Sequence, residues 1–137
     1  MKTVSIALFA FAALGIFAFA LKLLLSKTYF PYHEQVTGKH WDDLDGGVRT
    51  VIRGFMRLFG GGLLAAAGTS AWLIWLYAAG IDVPVLLIAL PGLVTGIVTL
   101  GGTTMLINAG GAAAPRMQVA VLVLISAAAV IAGLMAG

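Results

Sequence analysis

Two runs decide the fold: Phe59–Gly80, FGGGLLAAAGTSAWLIWLYAAG, and Val83–Ile107, VPVLLIALPGLVTGIVTLGGTTMLI, with only Ile81-Asp82 between them. Neither run contains a charged side chain. Each is at least as long as the ~20 residues an α-helix needs to cross ~30 Å of hydrocarbon. Neither alternates polar and apolar residues as a barrel strand does, so two membrane-spanning helices joined by a tight turn near Gly80–Asp82 are predicted.

The same pattern extends outward. Val4–Leu21 precedes the pair and Met117–Gly137 follows it. The expectation is an all-α polytopic membrane protein: a four-transmembrane-helix bundle forming a single domain over residues 1–137. A polar loop at about 26–45 joins the first two spans, and Asn108–Pro115 (NAGGAAAP) joins the last two. Composition agrees. The chain is 61% hydrophobic and 9% charged, whereas about a quarter of the residues of a soluble domain are charged. Too few polar residues exist to cover a water-facing surface, so the apolar surface must face lipid.

Met1-Lys2 and Ala18-Phe19-Ala20 imitate a signal peptide, but the apolar run continues through Leu21 and Leu23–Leu25. A retained first span is therefore expected. The absence of cysteine excludes disulfides, thiolate metal sites and cysteine nucleophiles. The net charge of +3 is concentrated at one membrane face, which reads as an orientation signal and not as a nucleic-acid footprint. Lys22, Lys27, Lys39, Arg49, Arg53, Arg57 and Arg116 fall on one face, with Lys2 on the other. The positive-inside rule places the first loop in the cytoplasm and both termini outside. Tyr29, Phe30, Tyr32 and Trp41 at one border, and Trp72, Trp75 and Tyr77 at the other, suit the two headgroup zones.

Both histidines and four of the five acidic residues lie between Lys27 and Arg57. Asp42, Asp43 and Asp45 precede a helical pattern, where carboxylates satisfy free N–H groups and the positive end of the helix dipole. A helix beginning near Asp42–Gly46 is predicted, with Asp45 and Arg49 placed for an i,i+4 ion pair. Arg49, Arg53 and Arg57 then form a stripe on one face. With Trp41 they are the candidate residues for binding an acidic partner or anionic lipid headgroups, since each basic residue beside a negative leaflet gains roughly 1 kcal/mol. The stripe belongs either to a helix lying flat on the membrane or to the foot of a long second span, with Gly60, Gly61 and Gly62 as the expected bend.

His33, Glu34, His40, Asp42 and Asp45 form a second candidate polar site. Imidazoles and carboxylates are capable ligands, but there is no HExxH and no repeated Glu-x-x-His pair. Solvated interfacial residues explain the set better, and no metal or cofactor is expected. No Asp, Glu, Lys, Arg or His lies near the middle of a span, which argues against proton-coupled transport and an intramembrane haem. Small residues occupy the interior instead. Gly60, Gly61 and Gly62, and the Gly92/Gly96 pair beside Thr95, Thr99 and Thr103, are read as helix-packing positions. Pro91 is expected to kink its helix, while Pro84 is harmless in the first turn.

The elements Tyr32-His33-Glu34, Gly38, Trp41, Leu44-Asp45-Gly46-Gly47, Met56-Arg57 and Gly60-Gly61-Gly62 together resemble a pattern of small bacterial four-helix integral membrane proteins. There, a "PYH…GK.W..LD" stretch precedes a long second helix with a glycine run. The resemblance covers about residues 1–80. It implies a bacterial inner-membrane protein and supplies no activity. Three functional classes follow, in order of preference. The first is a non-enzymatic accessory or assembly subunit that contacts a partner or anionic lipid through its basic loop. The second is an oligomeric small-solute transporter or channel using Thr95, Thr99 and Thr103. The third is an interfacial enzyme acting on lipids or quinones. A protein partner fits the first class, and a homo-oligomer carrying a small molecule or lipid fits the second or third.

Overall fold

The computed structural model describes residues 1–112 and 114–136. Ala113 in the last turn and Gly137, the expected end of the fourth span, lie outside the described residues. The elements are α1 (Lys2–Leu25), α2 (Pro31–Thr37), a 3₁₀ turn (Trp41–Asp43), α3 (Gly46–Ala78), α4 (Val85–Asn108) and α5 (Arg116–Leu134). Helices α1, α3, α4 and α5 are each long and apolar enough to cross a membrane. Together they form a four-span helical bundle, and the protein is a multi-pass membrane protein.

Helix α1 packs along α3 and α5, and α4 packs along α5 and α3, which leaves α1 and α4 across a diagonal. The bundle shows the distribution expected when the surroundings are as apolar as the core. Phe11, Leu14, Leu90, Val98 and Leu124 point outward, while Ser5, Ala12, Ala20, Ser70, Thr103 and Ser126 are buried. Lipid supplies no hydrophobic drive between helices, so close contact and buried hydrogen bonds hold them together. The Ser5 hydroxyl supplies one such bond, donating across the α1–α5 seam to the Ala129 carbonyl at 2.8 Å.

The ends of α3 follow from local chemistry. Its first turn is capped by the Asp45 carboxylate, which accepts the Gly47 N–H at 2.7 Å. The expected Asp45–Arg49 ion pair does not form: Asp45 is the N-cap, with extended backbone outside the helical i,i+4 spacing, and Arg49 leans toward Asp42 instead. At the other end Gly80 adopts φ +86°, so its N–H and that of Ile81 reach back to the Tyr77 and Leu76 carbonyls. Glycine suits this left-handed position because a side chain would meet the backbone there. Pro84 caps α4, and Pro91 lies within that helix without ending it.

The glycine run at 60–62 is not a break: α3 continues through it as one helix of 33 residues. The foot at 46–59 therefore extends the second span instead of lying flat. At 1.5 Å per residue α3 is about 50 Å long, against about 36 Å for α1 and α4. What glycine supplies at Gly60 is proximity. A Cβ there would stand 2.8 Å from Leu24 Cγ and 3.2 Å from the Ala20 carbonyl oxygen.

A basic, aromatic-capped end as candidate functional site

The first loop is shorter in space than in sequence because it folds. Pro31 presets the first turn of α2, and the His33 imidazole Nδ1 accepts the Phe30 N–H at 3.2 Å. Gly38, at φ +65°, closes the helix with its N–H on the Glu34 carbonyl at 2.8 Å. The folded loop lays Tyr29, Phe30 and Trp41 against Leu23 of α1 and Met56 of α3 in one buried cluster. The rings of Tyr29 and Trp41 meet edge to face at 5.2 Å, and the Tyr29 hydroxyl donates to the Lys39 carbonyl.

Two cations hold this cap. The Arg53 guanidinium lies 5.2 Å over the Trp41 ring, and its Nε donates to the Lys27 carbonyl at 2.9 Å. Lys22 Nζ stands 5.0 Å from the centre of Phe30. On its far side, α2 rests on the α4–α5 turn, where a Cβ at Gly111 would stand 3.0 Å from the Tyr32 carbonyl oxygen. Burial pushes the Tyr32 phenol up to about 12 and moves the His33 imidazole below its ordinary value.

The three arginines share a face but differ in use. Arg49 is half-buried and reaches the exposed Asp42 carboxylate only at 3.9 Å, a contact that solvent screens strongly. Arg53 is engaged by Trp41 and the Lys27 carbonyl. Arg57 is exposed, with no ion pair or hydrogen bond to another side chain among the described residues. Seven basic side chains stand at this end against Glu34, Asp42, Asp43 and Asp45; the opposite end carries Lys2 and Asp82.

The second set does not converge. His33 is packed among the rings of Tyr29, Phe30 and Tyr32. Glu34 pairs with His40, whose imidazole is largely exposed. Asp42 faces solvent, and Asp45 is a helix cap. No group of three His, Asp or Glu side chains is placed to hold a metal among the described residues.

The five glycines are placed unequally. Gly60 faces α1, while Gly92 and Gly96 face Ser126 and Val123 of α5. Gly61 and Gly62 are exposed with nothing near their Cβ positions. Thr95, Thr99 and Thr103 each donate to a carbonyl of their own helix, at 2.7, 2.7 and 3.0 Å. Thr95 and Thr99 line a half-open pocket of about 160 Å³ between α1, α4 and α5. Away from the basic end, packed Phe9, Ala13, Ile88, Ala89 and Ala129 lie beyond that pocket.

Sequence reading missed α2 and the Trp41 cap. Pro31 followed by Gly38 was the available signal, since proline favours a helix start and glycine its end.

Fold and site define a four-span helical membrane protein with one strongly basic end closed by a folded aromatic loop. No family model matches the chain, and no curated protein or solved structure matches it.

Proposed function

We propose that the protein is a non-enzymatic accessory subunit of a bacterial inner membrane, with its basic end in the cytoplasm and both termini outside. In this reading the foot of α3 docks an acidic, amphipathic segment of a partner protein. The observation that carries it is the exposure of Val48, Val51 and Phe55 on the foot. Gly60 of α3 packs at the level of Ala20 and Leu24 of α1, which is also the level of Lys22. The foot therefore runs past the level of Lys22, and in this reading its apolar stripe is covered by the partner.

By helical spacing, Val48, Val51 and Phe55 lie on one side of the seam that buries Met56, and Arg49, Arg53 and Arg57 on the other. A partner that covers both flanks presents apolar and acidic groups together. The burial of Thr103 supports this subunit reading over permeation, and the separation of His33 from the Glu34–His40 pair supports it over interfacial catalysis.

Native mass spectrometry after gentle extraction from the source membrane tests the reading. The expected result is a stoichiometric partner lost from Phe55→Asp and weakened in Arg57→Glu. Extraction of the wild-type chain alone, or a partner retained equally by both variants, would overturn it.

A further inference from the structure

Among the described residues, Ser5, Ser70, Thr103 and Ser126 carry the buried hydroxyls of the bundle, and three of these are bonded. Ser5 donates to the Ala129 carbonyl, Thr103 to Leu100 and Ser126 to Leu122, at 2.8, 3.0 and 2.9 Å. Ser70 of α3 differs. It is 5% exposed and makes no hydrogen bond among the described residues. A hydroxyl inside a helix ordinarily returns its proton to the carbonyl three or four residues back, as Thr95, Thr99 and Thr104 do on α4. Left unpaired at bilayer depth it is costly, because hydrocarbon offers no partner. The Ser70 oxygen is not sealed off, however. It keeps accessible surface, and that surface opens on a small central cavity.

The cavity lies where the four spans meet. Phe9 and Ala12 of α1, Ser70 of α3, Ala89 and Gly92 of α4, and Ser126 of α5 all border it. Phe9, Ala12, Ala89 and Ser126 are each less than 5% exposed, so this space belongs to the bundle interior and not to the lipid-facing surface. Its volume is about 10 Å³, which is the room one water molecule needs.

The two hydroxyls on its wall are complementary. Ser126 has given its proton to the Leu122 carbonyl and keeps lone pairs that accept. Its Oγ reaches toward α4, where a Cβ at Gly92 would stand 3.4 Å away. Ser70 brings a free proton. One water molecule between them accepts from Ser70 and donates to Ser126, and two such partners suffice to hold a buried water.

We infer that the central cavity is a binding site for a single structural water molecule, which accepts the Ser70 proton and donates to Ser126 Oγ. The link matters because α3 and α5 stand at opposite corners of the bundle, each packed against α1 and α4. The water is a polar tie across that diagonal, in the interior of the membrane-spanning bundle. It requires no partner at the basic end.

Proton-detected solid-state NMR of the full chain in lipid vesicles tests the site, with magnetisation transferred from water to labelled alanine and leucine methyl groups. We expect water cross-peaks at Ala12 and Ala89, and none at Leu90 and Leu124, which face outward on α4 and α5. Ser70→Ala should cut both peaks at least fivefold, and Ser126→Ala should weaken them. Reversible unfolding in mixed micelles gives an independent reading. Because the two hydroxyls share one water, the double variant should lose less stability than the sum of the two single variants.

Cross-peaks absent from Ala12 and Ala89 in the wild-type protein, or undiminished in a folded Ser70→Ala protein, would overturn the assignment. So would strictly additive losses in the double variant.

Discussion

Arg53 lies over the Trp41 ring at 5.2 Å while its Nε holds the Lys27 carbonyl, so one side chain of α3 clasps both halves of the preceding loop. A partly desolvated cation–π contact is worth about 0.5–2 kcal/mol, and the additional hydrogen bond adds to it. We expect Arg53→Met to loosen the loop without unfolding the bundle. In a Trp72→Phe/Trp75→Phe background, where Trp41 is the remaining indole, acrylamide quenching should rise clearly. Arg57→Met, which removes a side chain with no such contacts, should leave quenching unchanged.

The cap should also respond to acid. Burial lowers the pKa of His33, and its Nδ1 accepts the Phe30 N–H, so the folded loop favours neutral imidazole. With the folded value below the unfolded one of about 6.5, the open loop binds the proton more readily. Stability of the cap is therefore complete above that unfolded value and declines as the pH falls toward the folded value. Trp41 quenching should increase on acidification from neutral pH. His33→Asn retains an acceptor but does not titrate, and it should flatten the profile. A persisting acid response in that variant would assign the effect to another group.

These two residues also mark the boundary of what the sequence could disclose. The spans were legible because bilayer thickness imposes a length and composition on each, and the start of α3 because carboxylates favour free helix N–H groups. The loop was not, since its shape depends on Tyr29 and Trp41 finding Leu23 and Met56, partners set by how α1 and α3 pack. Asp45 has the spacing of both a cap and an ion-pair partner, but as the N-cap it lies outside the helical geometry that would bring it to Arg49. For the glycine run, a helix-weakening composition suggested a bend, but the Gly60 contact with α1 exploits the missing side chain. Of the candidate site, the arginine face was legible, whereas the unequal roles of Arg49, Arg53 and Arg57 required the folded loop.

Gly60 and Gly61 give a contrast within one run. Gly60→Ala places a methyl group against Leu24 and the Ala20 carbonyl, and overpacking of this kind typically costs about 1–3 kcal/mol. Gly61→Ala meets open space and gains up to about 1 kcal/mol of helix propensity by soluble-helix scales. Reversible unfolding in mixed micelles should therefore move in opposite directions for the two variants. Equal effects would mean that α1 does not approach α3 at Gly60.

At the opposite end, Ser5→Ala removes the hydrogen bond to the Ala129 carbonyl. Interhelical side-chain bonds in membranes average about 0.6 kcal/mol, with a maximum near 1.7, and a loss in that range is expected. Gly133→Leu should cost more, because even a Cβ there would stand 2.9 Å from Ser5 Oγ and 2.7 Å from Val85. The same micelle unfolding assay measures both.

The docking role of the α3 foot is tested most directly by a photoreactive amino acid at Val51, illuminated in the native membrane, with the same group at lipid-facing Phe11 as reference. We expect one protein adduct of defined mass from position 51, absent from position 11 and lost when Phe55→Asp is added. Lipid adducts alone at position 51, or the same products from both positions, would contradict the proposal that the foot docks a partner protein.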